Sequence, residues 1–146
     1  TGAVLRGPFH RDVGRDGPGG WWLVTEVEVE LAVEQVYRPD LVGWRRERMK
    51  ERPADFPVKT RPDWVCEVIS AHRASDDTDR KMRAHHAARI PHYWLVDPRD
   101  GTLAVFRHSA DGFLLAMSAK RGETVRAEPF DAIEIAVADL FGGERA

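Results

Sequence analysis

The passage from Trp64 to Asp97 constrains the fold more than any other part of this chain. It opens with Trp64-Val65-Cys66-Glu67-Val68-Ile69, apolar on both faces except at Glu67, as a central strand covered on both sides would be. Asp76, Asp77 and Asp79 then precede Arg80, Lys81, Arg83 and Arg89. Acid first and base last matches the helix dipole, and Ser75-Asp76-Asp77 offers N-caps, so the pattern predicts a helix over 76–89 that Pro91 ends. His92 to Asp97 reads as another strand. Strand, helix and strand in that order make a crossover, which sets the two strands parallel or nearly so.

The flanking segments read as antiparallel structure. Trp21 to Leu31 alternates with period two, with Trp22, Val24, Glu26, Glu28 and Glu30 on one face, and predicts one strand. Residues 35–44 predict a second, with Pro39 near its start, a bulge or an edge because proline cannot donate to a ladder. Thr102–His108 and Phe113–Ser118 predict a hairpin around Ala110-Asp111-Gly112, and 133–141 a short strand with a turn of helix. Residues 1–20, closing on Gly17-Pro18-Gly19-Gly20, read as a flexible lead-in, and 21–146 as a single domain. The fold class is therefore α/β: a mixed sheet with few flanking helices.

A length of 146 residues is enough for one domain with a real core, and 42% apolar with 32% charged residues fits a soluble globular protein. No apolar run approaches a membrane span. The start has no signal-peptide shape, and its lack of Met suggests a processed or trimmed chain. A single Cys66 cannot form an internal disulfide, which points to a reducing cytoplasm; in its apolar strand it reads as a small buried hydrophobe.

Asp40 and Glu67 carry the chemistry. Each is an acid inside an apolar strand, and a buried carboxylate is costly unless it pairs with a cation or binds a metal. Lys81 follows on the helix. Two acids and a lysine on a small α/β core suit metal-dependent phosphodiester hydrolysis. One or two Mg²⁺ ions held by Asp40, Glu67 and the backbone carbonyl of Val68 would polarise the phosphorus and activate water, while Lys81 would orient water or stabilise charge. The alternative is a pair of satisfied buried acids, salt-bridged to Arg38 or Lys81.

Several strings, in order, resemble the Uma2 family: Pro39-Asp40-Leu41-Val42-Gly43-Trp44-Arg45-Arg46-Glu47-Arg48, Pro62-Asp63-Trp64 through Ser70, Asp77 to Lys81, and Tyr93-Trp94-Leu95-Val96-Asp97-Pro98. That family is grouped with the PD-(D/E)XK restriction-endonuclease-like nucleases. The resemblance, over residues 17–141, implies a restriction-endonuclease-like mixed β-sheet core, an endonuclease acting on DNA with Mg²⁺ or Mn²⁺, and a homodimer for which exposed hairpin edges could serve. The superfamily pattern is Pro-Asp, a gap, then Asp/Glu-X-Lys. Here 26 residues separate Asp40 from Glu67, and the triplet reads Glu67-Val68-Ile69, without its lysine. The resemblance implies that the lysine has moved onto the helix as Lys81.

The chain also departs from the family, with Ser70-Ala71-His72-Arg73 in place of Ser-Pro-Ser-Thr, His85 where a Tyr is usual and Arg89 where a Gly is usual. Family members usually carry an acidic N-terminal helix, and this chain begins after it. A nuclease fold without the Glu-X-Lys lysine or that segment could instead be a degenerate module that binds nucleic acid or protein.

Supporting roles have bland counterparts. Glu26 and Glu28 match acidic positions of the family's first strand and could reach the metal, or could form a solvated strand face with Glu30. Asp63 is a second ligand or a Pro-Asp turn residue. Asp77 assists the site or makes an i,i+4 ion pair with Lys81. Arg45 to Arg61 holds seven basic residues against three acids, so Arg45, Arg46, Arg48 and Lys50 could contact phosphates, or could line a solvated loop. His72 could assist proton transfer, although a surface histidine is the simpler reading, and His85-His86 lacks the i,i+4 spacing of a zinc pair. The five tryptophans fit core packing, with Trp44, beside Arg45-Arg46, the candidate for base stacking.

Overall fold

The central crossover organises the molecule. The computed structural model describes residues 5, 9–10, 19–69 and 75–144. In chain order the elements are β1 (Trp21–Thr25), β2 (Val29–Ala32), β3 (Gln35–Tyr37), β4 (Leu41–Arg45), β5 (Trp64–Val68), α1 (Ser75–Ala87), β6 (His92–Asp97), β7 (Thr102–Ser109), β8 (Gly112–Lys120), β9 (Thr124–Val125) and β10 (Ile135–Ala136), closed by a 3-10 helix, Val137–Glu144. Six strands form one sheet in the order β1-β4-β5-β6-β7-β8. β5 and β6 are parallel across the α1 crossover, and every other neighbour is antiparallel. The mixed sheet follows from the sequence pattern.

Two predicted strands break at one place. The strand expected over 21–31 stops at Thr25 and resumes at Val29, and the strand expected over 35–44 is interrupted between Tyr37 and Leu41. Pro39 has no N–H to give a ladder, so β4 starts only after it, and β1 loses its partner at Thr25↔Leu41. Glu26 takes the left-handed conformation (φ 51°) and turns the chain away. β2 and β3 then pair as a separate hairpin, tied to the loop at Val58 by Glu30 N–H to Val58 O and Val58 N–H to Glu28 O, each 2.9 Å.

The sheet is covered on both faces. On one side Trp64, Cys66, Trp94, Val96, Leu103 and Val105 pack under Ala127, Phe130, Ile135, Val137, Leu140 and Phe141 of the C-terminal segment. Leu5 and Phe9, within the expected flexible lead-in, are buried in this same core, and His10 Nδ1 accepts the Leu23 N–H at 2.8 Å. These three residues are therefore built into the fold, because apolar surface next to the sheet gives them something to bury against. On the other side Val42, Trp44, Val65 and Tyr93 meet Met82 and Ala88 from the helix region. Cys66 is buried, as expected of a small hydrophobe. Trp44 is fully buried with its indole N–H on Thr60 O (2.9 Å), which corrects its candidacy for base stacking. Among the described residues no helix is long and apolar enough to cross a membrane.

α1 ends at Ala87, two residues before the predicted end. Arg89 adopts φ 63° there, the left-handed helix-ending conformation that glycine takes most readily.

Candidate active site

The β4–β5 ladder creates the site by stopping one residue early. Its last pair is Leu41↔Cys66, and the next pair in register would be Asp40 opposite Glu67. Opposite residues of an antiparallel pair share a face, about 5 Å apart at Cβ, and like charges there repel. In place of ladder bonds the carboxylates bind backbone. Val68 N–H donates to Asp40 Oδ2 at 2.7 Å, and Asp40 N–H donates to Glu67 Oε1 at 3.2 Å. Each acid thereby fixes the other's strand.

α1 brings the cation. It crosses the same face as Val65 and Glu67, and Lys81 Nζ lies 3.6 Å from Glu67 Oε2 and 3.6 Å from Asp77 Oδ2. Asp77 also accepts a hydrogen bond from Arg80 at 2.6 Å. It therefore makes the i,i+4 pair with Lys81 and lines the same cleft, together with Glu67, Val68, Ile69, Thr78, Tyr93 and Leu95.

One lysine does not balance this environment. Burial pushes the Glu67 carboxyl up to about 7; Lys81 pulls it down, and the Asp40 charge raises it again. Beneath Lys81 sit two further polar groups. His85 is buried, and its Nδ1–H donates to Lys81 O at 2.6 Å, so its Nε2 is the acceptor nitrogen and has no hydrogen-bond partner among the described residues. The Tyr93 hydroxyl is buried and also without a partner among the described residues, and its ring lies tilted against that of His85 with centroids 5.1 Å apart. Burial holds the imidazole neutral, its pKa lowered to about 4, and raises that of the Tyr93 phenol. Tyr93 was legible only as a core strand residue; its alternation with Leu95 on the Glu67 side of the sheet is the signal that could have found it.

A family profile described as "Putative restriction endonuclease" matches residues 9–138. The chain belongs to the Uma2 family. A solved structure from Anabaena variabilis, titled a putative nuclease belonging to DUF820, shares the fold: TM-score 0.65 at 17% identity, covering 84% of this chain and 68% of that one. No curated protein matches the sequence.

In this Uma2 chain the other candidate residues are dispersed. Asp63 lies four residues before Glu67, about 13 Å along the strand direction. It is buried, with Arg45 N–H at 2.8 Å, Arg48 Nη1 at 2.7 Å and Arg61 Nη2 at 3.7 Å. The structure thus uses it to hold the start of β5 against the loop, and does not bring it to Glu67. Glu26 approaches the site through its backbone, its N–H donating to Asp40 O at 3.2 Å and its carbonyl accepting Arg38 Nε at 2.8 Å; its side chain is exposed. Arg38, one predicted partner of the acids, is occupied there. Glu28 is exposed beyond the bend.

The basic run begins at the far end of β4, about 16 Å from Asp40. Arg45 packs 4.6 Å from the Trp21 ring centroid, and Arg46 lies 3.7 Å over Trp22 while donating to Trp21 O. Arg48 is bound to Asp63. Lys50 is exposed and forms no ion pair with a described residue. His72 lies outside the described residues. Among the described residues no group of three or more His, Cys, Asp or Glu is arranged to hold a metal, so Asp40 and Glu67 are the carboxylate pair to consider.

Proposed function

We propose that this Uma2 domain is a metal-dependent endonuclease that hydrolyses DNA phosphodiester bonds, with Asp40, Glu67 and Lys81 as its working residues. The observation that carries the reading is the repelling pair of carboxylates at the end of the β4–β5 ladder, with one lysine 3.6 Å from Glu67. Two adjacent hard oxygen donors suit a divalent cation, since Mg²⁺ uses one or two carboxylates and keeps several waters. The Val68 carbonyl is a third donor: the Val68 N–H points at Asp40, and in a strand N–H and C=O of one residue face the same edge. Mg²⁺ or Mn²⁺ held by these oxygens supplies charge neutralisation and water activation for phosphodiester hydrolysis.

The protein's own part is positioning. Asp40 and Glu67 are each held by a peptide N–H, and the second Glu67 oxygen faces Lys81. Lys81, tethered between Glu67 and Asp77, offers an ammonium to a phosphoryl oxygen as charge develops there. Lys50, with the rims of Arg45, Arg46 and Arg48, contacts phosphates further along the duplex.

Calorimetric titration of Mg²⁺ and Mn²⁺ into wild type and Glu67→Gln, with plasmid cleavage on the same samples, tests this. Binding and cleavage should occur in wild type, stop with chelator, and vanish in the variant. Binding without cleavage would favour the degenerate binding module. The absence of binding in wild type would leave Asp40 and Glu67 as satisfied structural acids.

A further inference from the structure

Two buried polar atoms beside the cleft are left over by the three working residues. The Tyr93 hydroxyl and His85 Nε2 are shut off from solvent, and neither has a hydrogen-bond partner among the described residues. An unpaired buried polar group costs stability, and in native proteins such groups mark a catalytic role or a partner that arrives with a ligand. The two lie side by side, with ring centroids 5.1 Å apart. Their chemistry is complementary. His85 Nε2 accepts, because the Nδ1–H is spent on Lys81 O, and a hydroxyl both donates and accepts.

Both groups border one long, adjustable cation. His85 follows Lys81 by four residues on α1, so the two side chains share a helix face. Tyr93 lines the cleft with Lys81, Glu67 and Asp77. Lys81 is loosely held where it stands. Its contacts to Glu67 Oε2 and Asp77 Oδ2 are both 3.6 Å, beyond the about 3.2 Å limit of a good N–H···O bond. Glu67 Oε2 is also the oxygen that no peptide N–H holds, since Oε1 accepts the Asp40 N–H. That oxygen cannot serve the ammonium and a divalent cation at once, and the two positive charges repel. With Glu67 taken by a metal, Lys81 needs another acceptor, and two idle ones lie beside it.

We propose that Tyr93 and His85 are positioning residues for Lys81, forming a second station for its ammonium once Glu67 turns to a metal ion; the inference rests on the metal-dependent nuclease reading. In this station Lys81 Nζ donates to the Tyr93 hydroxyl, and the hydroxyl hydrogen passes to His85 Nε2, so both unpaired atoms are satisfied together. Asp77 retains its ion pair with Lys81, and one N–H of the ammonium stays open to a phosphoryl oxygen. In the metal-free chain Lys81 stays with Glu67, and the hydroxyl contributes nothing to stability.

Nitrogen-15 NMR of the whole chain with labelled histidine tests it, at a pH above 7 where Glu67 is ionised and His85 neutral. The His85 signals are assigned by their loss in His85→Phe. Titration with Mg²⁺ should move the His85 Nε2 signal upfield as that nitrogen gains a hydrogen bond. Glu67→Gln, which takes away the charge facing Lys81, should show the same shift with no metal present. Tyr93→Phe should abolish the Mg²⁺-induced shift while Mg²⁺ affinity is kept and Tm is kept or raised. Its kcat for DNA cleavage should fall about 10²-fold at unchanged KM, the scale of a slightly misplaced group that acts only on developing charge. Mg²⁺ binding without the His85 shift, or a Tyr93→Phe variant that cleaves at the wild-type rate, would overturn the proposal and leave the nuclease reading standing. A wild type that binds no metal would end the nuclease reading, and the metal-free Glu67→Gln spectrum then decides the second station by itself: a wild-type spectrum there overturns it.

Discussion

Two buried acids flank the body of β5, Asp63 just before it and Glu67 near its end, and they differ in what faces them. Asp63, at the start, meets two arginines and a peptide N–H. Glu67, near the end, meets one lysine and a second carboxylate; burial raises its pKa to about 7, with Lys81 opposing the rise and Asp40 adding to it. Both acids are nearly inaccessible, so burial does not distinguish them. The partners do. Guanidiniums saturate Asp63 and make it a brace for the loop, whereas Asp40 leaves Glu67 with charge that a cation would relieve.

The largest effect should separate the two ends by function. Glu67→Gln should lower DNA cleavage by about 10³-fold, the scale of losing a group that acts on developing charge. Asp63→Asn, at equal folded fraction, should cut at close to the wild-type rate. Parallel loss in both variants would erase the distinction.

Stability against pH sharpens the contrast. Glu67 binds its proton at about 7 when folded against an ordinary 4.5, so the folded chain holds more protons in that window and loses stability as pH rises through it. His85, lowered to about 4 from 6.5, acts oppositely: the folded chain holds fewer protons there, and stability rises with pH across that window. In wild type the two slopes nearly offset. Glu67→Gln should leave only the His85 slope, a gain of roughly 3 kcal/mol between those limits. His85→Phe should leave only the falling Glu67 slope. Urea denaturation at a series of pH values reads both, and parallel curves for all three proteins would show that neither group titrates this way.

A smaller loss should come from the brace. Asp63→Asn keeps an acceptor for the Arg45 N–H but removes the charge facing Arg48 and Arg61. Those arginines are partly exposed, so the cost should be about 2 kcal/mol, below that of breaking a fully buried pair. Chemical denaturation measures it, and a neutral result would place Asp63 among the ion pairs that contribute nothing.

The smallest effect concerns Tyr93. Its hydroxyl has no partner among the described residues, so Tyr93→Phe should keep or raise stability, by up to about 1 kcal/mol. A Tm drop of several degrees would mean that the hydroxyl is bonded in solution.

The sequence by itself determined the crossover, the mixed sheet and the pairing of candidate acids with a lysine. Those features rest on local periodicity, on helix charge order and on carboxylates standing out in apolar strands, all of which are visible along one chain. The resemblance to Uma2 was legible for the same reason, since its strings fall on those strands. The tertiary structure decided which acids meet. Asp63 and Glu67 share a strand face and look equivalent by alternation, yet only Glu67 stands in register with Asp40, and only Asp63 lies under the arginines of the loop. It also decided that Glu26 and Glu28 leave the strand, because a proline on the neighbouring strand ends the ladder they would have continued. Period and propensity specify which way a side chain points from its own strand. What stands across from it depends on register and loop closure between residues far apart in sequence, and that decided whether a buried acid here became a brace or part of the candidate site.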